Sequence, residues 1–247
     1  IATGEQLYKM VSEHVIGMDT PAYYILTEDI KLNDTSDENW YQKPGNKGWL
    51  YTYGIDSAFS GHFDGQGHIV SGLYIKTADS NIKGALFPGI NSNATVKNVG
   101  VTDSYVDVST TNNECYGSAI VAYIKNWKEY YDVFERNYPI VSGCFADSSV
   151  TVKATFAGGI VAGTPSPVKI SNCYYNGKLI GGSYAGALIG NTWYPGCIVE
   201  NSYAATVNFD KAASGKSDVV SSGVTYKNTF IFGMTEGLGI EFVPIND

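Results

Sequence analysis

The sequence predicts an all-β solenoid, a rod of short strands in which the chain returns to the same position once per coil. Three observations predict this fold: a short motif recurs along the chain, the composition favours turns and strands, and no segment has the period of a crossover helix. Gly accounts for 28 of 247 residues and charged residues for only 16%, so turns are plentiful and salt-bridged helix surface is scarce. Hydrophobic residues at 44% provide material for a core, which excludes an intrinsically disordered chain.

The net charge of −8 excludes some classes of partner. An acidic chain has the wrong sign for the phosphate contacts that dominate nucleic-acid binding, and for anionic membrane surfaces. No stretch approaches the roughly 18 continuous apolar residues of a membrane-spanning helix. We therefore expect neither nucleic-acid binding nor membrane insertion. Since the sequence begins at Ile1 without an initiator Met or a signal peptide, we expect it to be joined to other domains of a longer parent chain.

The recurring motif is an apolar residue, any residue, Asn or Gly, any residue, and an aromatic residue. Its central positions are 72, 98, 143, 172, 201 and 228, and the unit centred on 98 has Gly in the aromatic place. The intervals are therefore 26, 45, 29, 29 and 27 residues, so one unit contains an inserted loop. Short strands that repeat at this period without helices predict stacked coils in parallel register.

Asn and Gly at the centre of the motif predict a sharp corner, because these residues adopt the left-handed backbone conformation at the least cost. After the corner, side chains alternate between the two faces. We predict that one alternate set points inward, namely Leu73/Ile75, Val99/Val101, Cys144/Ala146, Cys173/Tyr175, Ser202/Ala204 and Thr229/Ile231. The other set would form an external column of Tyr74, Gly100, Phe145, Tyr174, Tyr203 and Phe230.

A second motif precedes the first in four units. It comprises Gly84-Ala-Leu-Phe87, Gly117-Ser-Ala-Ile-Val121, Gly158-Gly-Ile-Val161 and Gly186-Ala-Leu-Ile189. Each unit is thus predicted to run strand, bend, strand and polar turn.

Both ends of the rod need a cap, since an open end exposes apolar core and an unpaired strand edge. Leu7, Met10 and Val11 lie at helical spacing after Thr3, a candidate N-cap, with Gln6 three residues further on. We predict a single domain over 1–247, with a cap containing a short helix at 1–20, coils over 21–232 with a loop inserted at about 123–138, and a second cap at 233–247.

Several of these segments carry a family resemblance. Residues 24–30, 59–75 and 84–87 resemble the start of bacterial cell-surface proteins with a right-handed parallel β-helix. Residues 157–163 and 170–177 resemble the GLUG-type repeats of those proteins, which also occur in large surface metallopeptidases of the IgA1-protease type. The resemblance implies a right-handed parallel β-helix (solenoid) and a secreted or cell-wall-attached location, and it implies a non-catalytic part of a larger protein.

Aromatic residues concentrate outside the repeat and are the candidate binding residues. They lie in the segment 40–53, in the inserted loop and near residue 193: Trp40, Tyr41, Trp49, Tyr51, Trp127, Tyr130, Tyr131 and Trp193. In one interpretation these rings form platforms for the apolar faces of sugars. In the other, the loops fold back and cover the solenoid, because apolar surface without a partner is normally buried.

Other polar clusters favour structural roles. His62, Asp64 and His68 lie close in sequence, but Gly65 to Gly67 follow as turn residues and no third ligand has a convincing spacing, so we predict a turn and no metal or other cofactor. Asp103, Asp107 and Asp147 are near equivalent coil positions, which is a weak signal of catalytic carboxylates.

The cysteines lie at 115, 144, 173 and 197. Cys144 and Cys173 share a register, and we predict stacked, buried thiols there.

The sequence therefore favours a non-catalytic surface module for adhesion, whose partner is a carbohydrate or a host or cell-surface protein. One alternative is a rigid spacer that displays neighbouring domains. A second alternative is a polysaccharide lyase or glycoside hydrolase.

Overall fold

The computed structural model describes residues 1–13, 22–49, 58–109, 114–125, 138–193, 195–211, 224–235 and 240–244. Over these residues the protein is nearly all-β, with one short α-helix, α1 (Gly4–Glu13), and a 3₁₀ turn at Trp40–Gln42. The all-β prediction with a short N-terminal helix is confirmed. In the part of the chain that is described, no helix has the length and apolar character needed to cross a membrane.

The strands follow one another in repeating units. Two strands precede the first unit: β1 (Tyr23–Ile25) and β2 (Ile30–Lys31). The first unit contains β3 (His62–Asp64), β4 (Ile69–Ser71), β5 (Tyr74–Lys76), β6 (Lys83–Gly84) and β7 (Ile90–Asn91). The second contains β8 (Thr95–Lys97), β9 (Gly100–Thr102), β10 (Tyr105–Asp107), β11 (Tyr116–Ser118) and β12 (Val121–Lys125).

Later units have fewer and longer strands. The third contains β13 (Ile140–Ser142), β14 (Phe145–Ala146), β15 (Thr151–Gly158) and β16 (Val161–Thr164). The fourth contains β17 (Lys169–Ser171), β18 (Tyr174–Tyr175), β19 (Lys178–Gly186) and β20 (Ile189–Thr192). The remaining strands are β21 (Cys197–Glu200), β22 (Tyr203–Lys211), β23 (Val224–Lys227), β24 (Phe230–Thr235) and β25 (Ile240–Pro244).

Equivalent strands of successive units pair with one another. Among the described residues they form a seven-stranded sheet in the order β1-β3-β8-β13-β17-β21-β23, a four-stranded sheet in the order β20-β16-β12-β7, and a fourteen-stranded sheet that contains the others. The strand pairs within these ranges are parallel except for β24 and β25, which are antiparallel. Parallel strands that recur in the same sheets agree with the predicted stacking of units.

The core lies between the sheets and contains the residues that the alternation places inward. Leu73, Val99, Cys144 and Ala204 are completely buried, and Tyr175 is the largest fully buried side chain among the described residues. The inward assignment is confirmed for the side chains that the structure describes, whereas that of Ile231 lies outside them. The four cysteines are buried free thiols, and Cys144 and Cys173 directly precede the paired strands β14 and β18 in the same register, as predicted.

The corners have the predicted backbone conformation. Positive φ angles occur at Asn98 (52°), Gly143 (64°), Asn172 (54°), Asn201 (48°) and Asn228 (44°). Side-chain amides also bond between units, since Asn228 Nδ2 donates to Asn201 Oδ1 at 2.8 Å.

A small side chain follows most of these corners and donates to the carbonyl two residues before it. The donors are Cys144 Sγ, Cys173 Sγ, Ser202 Oγ and Thr229 Oγ1, with donor–acceptor distances of 3.4, 3.3, 2.8 and 2.9 Å. Each of these carbonyls also accepts a backbone N–H from the preceding unit, so the bond pairs the buried side-chain donor, which would be costly to leave unpaired. These bonds let small Cys, Ser and Thr side chains occupy an otherwise apolar interior.

The assignment of Tyr74 to the external column was wrong. Val70 pairs with Val101 and Tyr74 pairs with Tyr105, so this segment matches residues 101–105 rather than 96–100. A unit therefore has a second corner, at Gly72 (φ 74°) and Asp103 (φ 44°). The interval of 26 residues was therefore measured between two different corners of the unit, Gly72 and Asn98.

The remaining external column is aligned by strand pairing. Phe145 pairs with Gly100 and with Tyr174, Tyr174 pairs with Tyr203, and Tyr203 pairs with Phe230. The rings of Tyr174 and Tyr203 are stacked, with centroids 5.5 Å apart.

The N-terminal helix forms as predicted. The backbone N–H of Gln6 donates to Thr3 Oγ1 at 3.2 Å, and Gln6 Oε1 accepts from the backbone N–H of Ala2 at 2.8 Å. These two bonds satisfy donors at the start of the helix. Leu7, Met10 and Val11 are buried in the main core, so the helix covers apolar surface of the first strands.

Candidate functional site

The first predicted aromatic cluster is largely packed into the fold. Trp49 is only 5% exposed, its indole Nε1 donates to the carbonyl oxygen of Leu86 at 3.2 Å, and its ring meets Tyr8 of α1 edge-on. Trp49 therefore joins the N-terminal helix to the core. In this position its ring faces cannot stack on a sugar.

Trp40 and Tyr41 cover the outer face of the first two units. Trp40 is 5% exposed and lies edge-on to Tyr74, with ring centroids 6.0 Å apart. Tyr41 stacks on Tyr105, with ring centroids 4.4 Å apart and an angle of 10° between the planes. These contacts match the alternative interpretation, in which the loop covers the strands. Tyr51 lies outside the described residues.

Of the remaining candidate residues, the structure describes only Trp193. Trp127, Tyr130 and Tyr131 of the inserted loop also lie outside the described residues, so their role stays a prediction. Trp193, at the end of β20, is 40% exposed and contacts several other aromatic rings. These rings form a second aromatic cluster, which is the candidate site.

One wall of this site is a row of aromatic side chains on neighbouring strands. Tyr116 of β11 pairs with Phe156 of β15, which pairs with Tyr184 of β19. Tyr116 and Phe156 are stacked with centroids 4.8 Å apart, and Phe156 and Tyr184 are stacked at 5.2 Å. Exposure rises along the row, from the buried Tyr116 to Tyr184 at 40%.

The opposite wall consists of Tyr123 and Trp193. The chain turns between Tyr116 and Tyr123, and their rings meet with centroids 5.1 Å apart, so the two walls are in contact at this turn. Trp193 lies 5.8 Å from Tyr116 and 6.3 Å from Tyr123 by ring centroids. We call the surface formed by Tyr116, Phe156, Tyr184, Tyr123 and Trp193 the aromatic cleft.

Gly163 allows the two walls to approach each other. A Cβ atom at this position would lie 2.7 Å from Cδ1 of Tyr116 and 3.3 Å from Cζ3 of Trp193. The first distance is shorter than carbon contacts allow, so a larger residue here would displace the Tyr116 ring.

Polar groups surround one end of the aromatic cleft. A cavity of about 270 Å³ is lined there by Asn81, Lys83, Glu114, Tyr116, Tyr123, Lys125 and Pro165. Lys83 Nζ lies 4.8 Å from the centre of the Tyr123 ring, within the range of a cation–π contact. The Tyr116 hydroxyl donates to Glu114 Oε2 at 2.8 Å.

The electrostatics of this end favour neutral phenols. Burial raises the pKa of Tyr116 well above its ordinary value, and the hydrogen bond to Glu114 raises it further. Burial also raises the pKa of Tyr123, with a smaller contribution from Glu114. Both hydroxyls therefore remain protonated near neutral pH, and the Tyr116 proton is donated to Glu114.

Sequence reasoning missed most of this site, although a signal was present. Strand pairing brings the second motifs of the four units into register. Immediately before the aligned part of each motif lies one residue that points into the site: Lys83, Tyr116, Phe156 and Tyr184. Three of these four residues are aromatic, and their alternation with the buried small residues that follow predicts an outward direction.

The turn after β3 has the predicted structure. Asp64 Oδ1 accepts from the backbone N–H of Gln66 at 2.8 Å, and Gln66 has a φ of 52°. His62 Nδ1 lies 3.0 Å from a threonine hydroxyl, and His68 Nδ1 lies 3.1 Å from Asp29 Oδ1. Among the described residues, no group of three or more His, Cys, Asp or Glu side chains could hold a metal ion.

The three candidate carboxylates make contacts typical of turns and ion pairs. Ser149 accepts from the backbone N–H of Asp103 at 2.6 Å and donates to Asp147, whose Oδ1 also accepts from the Ser149 backbone N–H at 3.0 Å. Asp107 Oδ2 lies 3.4 Å from Lys153 Nζ.

Comparisons with known proteins inform the fold of this chain and do not assign it a function. No family model matches the chain. Over 86 residues it is 33% identical to a protein of Evansella cellulosilytica named "Putative Gly-rich membrane protein", and the match covers 35% of this chain and 9% of that protein. The chain thus spans only a small part of that relative.

Among solved structures, the chain is similar to a protein of Bacteroides ovatus described as "a putative immunoglobulin A1 protease". The TM-score is 0.62 with 17% sequence identity, and the match covers 94% of this chain and 74% of that one. At this identity the similarity establishes a shared fold.

Proposed function

We propose that the chain is a right-handed parallel β-helix module of a secreted or cell-wall-attached bacterial protein with GLUG-type repeats, and that its aromatic cleft binds glycan. The observation that carries the binding proposal is the pair of aromatic walls, which is exposed at Tyr184 and Trp193 and bordered by polar groups. The module contributes adhesion, while any catalysis belongs to other parts of the parent protein.

The fold and location have independent support. Parallel strands that return to the same sheets in each unit are the arrangement expected of a β-helix. The Bacteroides ovatus protein is described as a protease, and the Evansella cellulosilytica protein is named a membrane protein. Both names are compatible with a module at the cell surface.

The chemistry of the aromatic cleft suits a sugar ring. Tyr184 and Trp193 are each 40% exposed, so part of each ring is accessible to a ligand. Their faces can cover the apolar face of a pyranose ring, while a few polar groups fix its hydroxyls. Asn81 and Glu114 provide such groups at the adjoining cavity.

A glycan array followed by calorimetric titration of the best ligand tests this proposal. We expect binding to weaken about twofold to tenfold in Tyr184→Ala, because one stacking contact contributes about 0.5–1.5 kcal/mol. Tyr203→Ala is the matched control, since Tyr203 is a tyrosine of similar exposure (39%) in the external column. Trp193→Phe should remove a ligand-induced change in fluorescence.

The outcomes separate binding at the aromatic cleft from binding elsewhere. Equal loss in Tyr184→Ala and Tyr203→Ala would contradict the cleft as the binding surface. An array without any bound glycan would contradict glycan binding altogether.

The burial of Trp40 and Trp49 favours a second candidate function, a rigid spacer that displays neighbouring domains. In a spacer, aromatic loops serve only to cover the strands. Under this alternative, Tyr184→Ala changes neither ligand binding nor adhesion of the parent protein to cells, whereas shortening the rod by one unit impairs the parent protein.

A further inference from the structure

We infer that the aromatic cleft recognises the end of a glycan, one or two sugar rings, and does not bind along a length of chain. This inference rests on the proposed function and adds the class of ligand: short or branched glycans, which present many chain ends. It is carried by the contact between the two walls, by the burial of the middle rings and by the size of the adjoining cavity.

The two walls of the aromatic cleft leave no slot between them. Tyr116 and Tyr123 meet with ring centroids 5.1 Å apart, and Trp193 contacts both, at 5.8 Å from Tyr116 and 6.3 Å from Tyr123. Aromatic rings at these separations are in direct contact, so a sugar ring does not fit between them. A ligand is therefore confined to the outer surface of the cluster.

Only part of that outer surface consists of accessible rings. Tyr116 and Phe156, in the middle of the cluster, are 4% and 7% exposed, whereas Tyr184 and Trp193 are each 40% exposed. The two exposed rings both contact the buried Phe156, with centroids at 5.2 Å for Tyr184 and 5.9 Å for Trp193. The area for stacking is thus limited to two rings on either side of a buried one.

The orientation of Tyr184 directs a bound chain away from the cluster. Its ring plane makes an angle of 11° with that of Phe156, so Phe156 covers one face and the exposed part lies on the other face and the edge. The pairing of β19 with β22 spans Leu179 to Gly181 and does not reach Tyr184. A sugar ring on the exposed face would continue the stack. Because a glycan extends roughly in the plane of its rings, the next sugar would leave the stack.

The cavity at the other end is also small. Its volume is about 270 Å³, below the range of about 300–1,000 Å³ that is typical of small-molecule sites, so it has no room for an oligosaccharide. Tyr116 and Tyr123 line it, and both contact Trp193. The buried rings of Tyr116 and Phe156 separate it from Tyr184. The accessible places therefore do not form a continuous track for a chain.

The test varies the length of the glycan. Titration calorimetry compares glucose, galactose, mannose and N-acetylglucosamine with their β-1,4-linked oligomers of two to six units. In the series that binds, we expect the affinity of the hexasaccharide to lie within about threefold of that of the disaccharide, because the additional sugars meet no exposed ring. A site along a chain would instead gain affinity with each added sugar.

The position of the recognised sugar is tested with the same hexasaccharide. Exchanging the sugar at one of its two ends for another sugar should abolish binding. Exchanging a sugar in the middle of the chain should change the affinity by less than about threefold.

Variants locate the recognised end at the exposed rings. Tyr184→Ala and Trp193→Ala should each weaken binding of the disaccharide and of the hexasaccharide by the same factor, because the chain end already makes all stacking contacts. Tyr203→Ala is the matched control, since Tyr203 has similar exposure (39%) in the external column, and it should leave both affinities unchanged. Thermal unfolding verifies that the variants fold. The series of lengths on the wild type tests the inference without any variant.

The possible results are distinct. If the hexasaccharide binds more than threefold more tightly than the disaccharide, or if exchanging a middle sugar weakens binding as much as exchanging a terminal one, the inference is wrong and glycan binding stands. If no glycan binds, both the inference and the proposed function are wrong. An affinity that is independent of length and is lost with one terminal sugar supports the inference.

Discussion

Replacing Asn201 tests whether the corners of the units select their residues by backbone conformation. Asn201 has a φ of 48°, its backbone N–H donates to the carbonyl of Lys227 at 3.0 Å, and its side-chain oxygen accepts from Asn228 Nδ2 at 2.8 Å. The side chain is exposed, so little apolar burial is lost on substitution. The effect of a substitution is thus confined to backbone strain and one hydrogen bond.

The two contributions can be separated at one position. In Asn201→Ala, the left-handed conformation costs about 1–2 kcal/mol for a residue with a Cβ, and the lost surface hydrogen bond costs about 0.5 kcal/mol. We therefore expect a destabilisation of about 2 kcal/mol. Asn201→Gly loses the same bond without the steric strain, but Gly adds about 0.5 kcal/mol through the entropy of the unfolded chain. We expect about 1 kcal/mol for that variant.

Urea unfolding monitored by circular dichroism measures the free energy of unfolding of both variants. The dependence of this free energy on urea concentration should be the same as in the wild type. A double-mutant cycle that combines Asn201→Ala with Asn228→Ala isolates the energy of the hydrogen bond between the two side-chain amides. The reasoning is refuted if Asn201→Ala is as stable as the wild type, or if Asn201→Gly is the less stable of the two variants. Either result would mean that positive φ does not determine which residue occupies the corner.

Further predictions concern packing, alkaline stability and the thiols. Gly163→Val should lower the free energy of unfolding by about 1–3 kcal/mol through overpacking against Tyr116; an unchanged melting temperature would contradict the close contact. Burial raises the pKa of Tyr105 from 10.0 to about 12, with a further contribution from Asp107, so folding favours the protonated phenol and stability falls as the pH rises from 10 to about 12. In Tyr105→Phe, the free energy of unfolding measured with urea should decrease less over this pH range. A decrease as steep as in the wild type would contradict the role of Tyr105. Thiol titration in denaturant should find four free cysteines, and a smaller number would indicate a disulfide bond.

The corners and the faces could be predicted because both depend on neighbours in the sequence. A left-handed residue is selected by its own steric demands, and alternation assigns Cys144 or Ala204 to the interior wherever a strand is known. The helix at the N-terminus was predictable for the same reason, since Thr3 and Gln6 cap it locally.

The alignment of the first unit could not be obtained in this way. Val101-Thr-Asp-Ser-Tyr105 has the same form as the recurring motif if Asp is allowed at the centre, and Asp103 indeed has a positive φ. Two corners of one unit therefore look alike in sequence. Strand pairing distinguishes them, since Val70 pairs with Val101 and Tyr74 with Tyr105.

The candidate site shows the same limit. Trp193 was a candidate from its residue type, but Trp40 and Trp49 were equally good candidates and are buried. Burial depends on which distant segment covers a ring: Trp49 meets Tyr8 of the helix and is 5% exposed, whereas Trp193 contacts Tyr116 and Tyr123 and is 40% exposed. Residue type predicts that an aromatic ring will be in contact with other groups. It does not predict whether those groups belong to the protein or to a ligand.

The sequence by itself determined that this protein consists of stacked β units with left-handed corners, alternating inward and outward side chains, and a helix at the N-terminus. The tertiary structure decided which corners are equivalent, which tryptophans are buried, and that Tyr116, Phe156, Tyr184, Tyr123 and Trp193 pack into one cluster. The physical reason is the range of the interactions. Backbone sterics and alternation act over a few residues, whereas the aromatic cleft depends on strand register and on a glycine that lets two distant walls approach.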